Sequence, residues 1–162
     1  MRRTPGRIVS SLVCLGLSVL LAGTAFAQND PQVGVWKLNL AKSKYSTGPA
    51  PRSATTTIVA AGAGTKVTVD QTMADGTMRH YEFTANYDGK DSPMVGNNPD
   101  ADMIARTRTN ANTVHSINKK AGKVTTTQDS VVSNDRKTRT VTSKGMNAAG
   151  QQVNNVTVFE KQ

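Results

Sequence analysis

The sequence predicts an all-β protein: a single up-and-down antiparallel β-barrel of about 8–10 strands, preceded by a signal helix that is cleaved. Three observations point there. Segments of strand length are separated at close intervals by turn signals rich in Gly, Asn and Asp. Between the turns the chain is rich in Thr and Val, residues that suit a pleated surface. Beyond residue 27, no stretch carries a 3.6-residue apolar period with caps.

Residues 1–27 read as an export signal. Arg2, Arg3 and Arg7 form a positive start, Ile8 to Leu21 is largely apolar, and Ala25-Phe26-Ala27 is a small-x-small cleavage pattern. The apolar run falls short of the roughly 18–20 residues of a spanning helix, and no positive stop-transfer cluster follows it. Cys14, the only cysteine, lies within that run after Val13 rather than after the small residue of a lipoprotein signal. A chain starting at Gln28 therefore has no thiol and no disulfide, and relies on its own core.

Residues 28–162 form one domain of about 135 residues, enough to bury roughly two-thirds of the unfolded surface. Losing Arg2, Arg3 and Arg7 leaves 17 Lys+Arg against 11 Asp+Glu, so the charge falls from +9 to +6. Acids and bases are interspersed. Nucleic-acid binding calls for a basic run interleaved with aromatics, and aromatics are only 4% of the chain. Lys119, Lys120 and Lys123 flank an expected hairpin tip at Ala121-Gly122 and read as solvated turn lysines.

Turn signals at Gly62-Ala63-Gly64, Asp75-Gly76, Asp88-Gly89, Gly96 to Pro99, Asn110 to Asn112, Ala121-Gly122, Asn134-Asp135 and Ala149-Gly150 leave about ten strands. These are 33–40, 52–61, 65–73, 77–87, 90–95, 102–109, 112–120, 123–133, 137–144 and 151–160. In the first, Trp36, Leu38 and Leu40 share a face. In 65–73 Val67, Val69 and Met73 do so, and in 77–87 Tyr81, Phe83 and Ala85. The late strands alternate poorly. Val124 and Val132 share their face with Thr126, Gln128 and Ser130, and 137–144 is polar apart from Val141. A sandwich needs dry inner faces, whereas a barrel with a wet or ligand-filled lumen accepts Thr, Gln and Arg inside. Consecutive hairpins that close also remove exposed edges. Ala41–Pro51, with two prolines, reads as a long loop able to cover one mouth.

Gly34-Val35-Trp36 in the first strand resembles the lipocalin and fatty-acid-binding-protein group of barrels. The resemblance implies that the Trp closes one end of the barrel beneath a late cation, here Lys161 or Arg139. More of the chain resembles a family of small, uncharacterised exported bacterial proteins. The matching phrases are Trp36-Lys37-Leu38-Asn39 with Lys42-Ser43-Lys44-Tyr45, Tyr87-Asp88-Gly89-Lys90-Asp91, Val141-Thr142-Ser143-Lys144-Gly145 and Val153-Asn154-Asn155-Val156. That second resemblance implies export and no particular activity. The chain departs from intracellular fatty-acid-binding barrels twice. A Pro-containing loop stands where they have a helical pair, and the last strand, Val156 to Lys161, lacks their Arg-x-Tyr carboxylate clamp.

No catalytic constellation is visible, so the chain is read as a non-enzyme without cofactor or metal. His80 and Glu82 share a face opposite Tyr81 and Phe83, but a metal site needs three or four ligands and His115 is far along the chain. No Gly-x-Ser-x-Gly elbow occurs, and the aspartates fall mostly in turns. Gly62-Ala63-Gly64 lacks the helix of a phosphate loop. Arg106, Arg108 and Arg139 attract more interest. Arg139 shares a face with Val141: on an inward face it would hold an anionic group, and on an edge strand both would meet water, the simpler reading. The expected function is an exported barrel, periplasmic or secreted and monomeric, binding a small hydrophobic or amphipathic ligand through Trp36, Tyr81, Phe83 and Arg139. The alternative is an interaction or envelope-stress module whose barrel is filled.

Overall fold

Hairpin-linked strands whose inner and outer residues alternate have one way to remove both edges, which is to pair the last strand with the first. The computed structural model, which describes residues 30–46 and 48–162, does this. Its strands are β1 (Gly34–Lys44), β2 (Ser53–Ala61), β3 (Gly64–Thr72), β4 (Met78–Asn86), β5 (Asp88–Gly96), β6 (Met103–Asn110), β7 (Thr113–Lys120), β8 (Lys123–Val132), β9 (Thr138–Met146) and β10 (Gln152–Lys161). Each pairs antiparallel with the next, and β1 pairs with β10 to give a closed ten-stranded barrel. The described residues contain no helix. The expected signal segment 1–27, with Cys14 and its cleavage site, lies outside them.

Two expectations for the first strand need correction. β1 does not end at Leu40 but continues to Lys44, so the connection to β2 starts only at Tyr45. The pairing with β10 shifts register between Asn39 and Lys44, and local side chains bridge the shift. The Asn39 carboxamide oxygen accepts from Lys42 N at 3.1 Å. Ser43 Oγ donates to the Asn39 carbonyl at 2.7 Å and accepts from Val158 N at 2.9 Å. The extra residues turn Leu40 out to solvent, away from the face of Trp36. A similar shift opposite Asn118/Lys119 leaves Val124 outside while Thr126, Ser130 and Val132 stay buried.

The inner face is divided. From β2 to β6 it carries mainly apolar groups, including Ile58, Val67, Val69, Phe83 and Ile104. From β7 to β9 it carries Ser116, Asn118, Thr126, Ser130 and Ser143, all buried. This is why the late strands alternate so poorly by hydropathy: their inward positions mix these polar groups with Val114, Val132 and Val141. The β4–β5 seam is the shortest, with three paired positions from Tyr81↔Gly96 to Phe83↔Met94. Pro93, next to the last pair, has no N–H to donate.

Close strand approach and a positive φ of 138°, which L side chains rarely adopt, explain Gly145 opposite Thr126. A Cβ there would lie 2.3 Å from the Thr125 carbonyl oxygen, which is backbone and cannot swing aside. We expect Gly145→Ala to cost about 1–3 kcal/mol, the range for strained backbone positions. Thermal unfolding checks this, and an unchanged midpoint would show that β8 and β9 separate freely.

Candidate functional site

One end of the barrel is closed by the chain itself. Residues 30–33 run across it before β1 begins. Asp30, buried, accepts hydrogen bonds on Oδ2 from the Tyr87 hydroxyl and from Arg108 Nη2. Gln32 is fully buried. Its amide nitrogen donates to the carbonyls of Asn112 and Ser130, both at 3.1 Å, tying the segment to the far wall. Trp36, also fully buried, donates Nε1–H to the Gln32 carbonyl at 2.8 Å. The Lys161 ammonium lies 5.2 Å from the Trp36 ring centroid, so Lys161 rather than Arg139 supplies the late cation. Gly34 makes room for it: at φ 144°, a Cβ would meet Lys161 Cε at 2.6 Å.

Above this floor stand two buried arginines. Arg139 Nε donates to Gln32 Oε1 at 3.1 Å and Ser130 Oγ at 2.8 Å, and its guanidinium lies 5.6 Å from the Phe159 ring. Arg106 Nη1 donates to Thr65 Oγ1 at 2.7 Å, with the rings of Phe83 and Tyr87 at 5.7 and 5.1 Å. Neither is in an ion pair: among the described residues the one floor carboxylate, Asp30, is bonded to Arg108. Aromatic faces stand in for anions here, an attraction that only partly offsets lost hydration. Burial, with the like charge of Arg106 in second place, lowers the Arg139 pKa to about 9. It remains a cation at neutral pH. Burial likewise lowers Arg106 and pushes the Tyr81 phenol up to about 12.

The arginines face a cavity of about 550 Å³, a volume within the range of small-molecule sites. Val67, Val69, Phe83, Met94 and Ile104 form one side, and Ser116, Asn118, Gln128 and Ser143 the other. The mouth, opposite the floor, is ringed by connections between strands. Tyr45, Gly48, Pro49 and Pro51 come from the β1–β2 loop, with Asp75 from β3–β4 and Asn147 from β9–β10. The Pro-containing loop thus reaches the mouth, though it is shorter than the expected 41–51.

Comparison with known protein families, curated proteins and solved structures returns no match. The closed antiparallel barrel is consistent with a lipocalin-like barrel, and the fold rests on the strand pairing described above.

Of the four residues singled out in the sequence, Tyr81, Phe83 and Arg139 line the cavity. Trp36 does not: it is packed into the floor beneath. The solvent reading of Arg139 is corrected. It presupposed an edge strand, but β9 lies between β8 and β10, so the face that carries Val141 carries Arg139 inward too. His80 and Glu82 point outward, where His80 Nδ1 is 2.7 Å from Asp70 Oδ1 and Glu82 pairs with Lys66 at 2.9 Å. Among the described residues no three His, Cys, Asp or Glu side chains gather as metal ligands. Sequence reasoning missed Asp30, Gln32 and Asn118. Asp30 and Gln32 precede the first strand and belong to no periodic pattern. Asn118 sits on the inward face of β7 with Val114 and Ser116, an alternation that polar residues conceal.

Proposed function

We propose that this chain is an exported, non-catalytic binding barrel for a small, partly apolar ligand, and that the ligand carries an acidic group. The observation that carries this reading is the pair of buried arginines, Arg106 and Arg139, neither in an ion pair, lining an open cavity. A buried cation without an anion is costly, and an incoming carboxylate, sulfonate or phosphate would accept the unused guanidinium donors. The apolar wall of β3 to β6 would take the rest of the ligand. Export rests on the n-region arginines, the apolar run and the Ala25-Phe26-Ala27 pattern.

The test has two arms. Native mass spectrometry of protein from its own host is expected to show an additional mass that is lost on denaturation. The delipidated protein is expected to bind an anionic reporter such as 1-anilinonaphthalene-8-sulfonate saturably, with one site. A clean apo mass combined with no saturable reporter binding would remove the binding-barrel reading.

A further inference from the structure

We infer that the ligand is amphipathic along its flank as well as from end to end: an acid whose apolar body carries hydroxyl or other hydrogen-bonding groups on one side, read by Asn118 and Gln128. This rests on the binding-barrel reading and narrows its ligand class. A simple alkyl acid would be served best by a tube apolar all round. This cavity is not such a tube. Its β3–β6 side is mainly aliphatic and aromatic apart from Gln71, Arg79 and Arg106, while β7, β8 and β9 present Ser116, Asn118, Gln128 and Ser143, with Val141 the one aliphatic group among them. An alkyl chain lying in it would leave that wall's donors and acceptors without partners, which weakens binding.

Asn118 marks the wall most sharply. It is 7% exposed and lines the cavity. Its Nδ2 donates to Thr126 Oγ1 at 3.1 Å, and its Oδ1 has no hydrogen-bond partner. Reversing the amide would satisfy the oxygen and orphan the nitrogen, so one of its polar atoms is unpaired in either orientation. The terminal torsion of Asn is broad, which lets the amide swing toward a group in the cavity. Buried polar atoms are almost always paired, so an exception that lines a cavity calls for an explanation, and a ligand group is the one proposed. Gln128, the next inward residue of β8 after Thr126, adds a second amide on the same side.

The experiment displaces 1-anilinonaphthalene-8-sulfonate from the delipidated protein with three acids of one chain length: stearate, 12-hydroxystearate and 9,10-dihydroxystearate. The hydroxyls differ in depth, while acid and chain stay the same. We expect at least one hydroxylated acid to displace the reporter at about tenfold lower concentration than stearate, because a site built for hydroxyls penalises the analogue lacking them. This runs against general hydrophobicity, which favours stearate. In Asn118→Leu/Gln128→Leu the preference should fall below about threefold or invert, with stearate affinity retained or improved. Gln128→Leu alone, at the less buried of the two positions, serves where the double variant does not fold. Stearate binding as well as or better than both hydroxylated acids, or an undiminished preference in the variant, overturns the inference and leaves the acid-binding barrel standing. Failure of the reporter and all three acids to bind, together with a clean apo mass, overturns both.

Discussion

Trp36→Ala is expected to lower the folding stability by about 3–5 kcal/mol, the range for truncating a large buried aromatic. Three losses coincide at this position. The indole is fully buried at the floor, where the chain crosses from residue 33 into β1. Its Nε1–H is the donor that satisfies the Gln32 carbonyl, so removal leaves a buried acceptor empty. Its ring is also the platform for Lys161 near the end of β10, the strand that closes the barrel against β1. Urea unfolding followed by circular dichroism measures the change. A loss below about 1 kcal/mol would mean that the floor repacks around the hole, and that neither closure nor the Gln32 crossing depends on the indole.

The two ends of the barrel differ in how far the sequence disclosed them. Strand number and order were legible because turn residues and period-two alternation are local signals: all ten expected strands are present, most displaced by only one or two residues. Tyr81, Phe83, Val67 and Val69 were legible for the same reason. The bulge after Asn39 was not, because it depends on Asn39 Nδ2 donating to Glu160 and Ser43 Oγ accepting from Val158 N, both on β10, which adjoins β1 only after closure. Arg139 shows the limit most clearly. Its strand pattern leaves two directions open, and only membership of a closed sheet with no edge decides between them. Gln32 lay beyond sequence reading altogether. Its partners Asn112 and Ser130 are 80 and 98 residues away, and nothing local marks it as the residue that spans the floor.

Arg139→Met is expected to move stability and binding in opposite directions. In the apo protein the guanidinium is buried with no carboxylate in contact, held by two neutral oxygens and the face of Phe159. Replacing a buried ion pair by apolar residues of similar volume is commonly neutral or stabilising by about 1–4 kcal/mol, and an unpaired buried cation has less attraction to lose. Here the substitution strands no partner. Ser130 Oγ still donates to Gln32 Oε1 at 3.0 Å, and the Gln32 amide nitrogen keeps both carbonyls. Apo stability should therefore hold or rise. Binding of the anionic reporter should weaken about ten- to hundredfold, since hydrogen bonds to a charged group contribute about 1.5–3 kcal/mol. Paired urea and fluorescence titrations separate the possibilities. A variant destabilised by more than about 2 kcal/mol with unchanged reporter affinity would make Arg139 a structural strut between β8, β9 and the floor. A variant that keeps its stability and loses the anion would show that the chain carries a costly buried charge for the sake of what enters the barrel, the trade between stability and function expected where a site is held ready for its ligand.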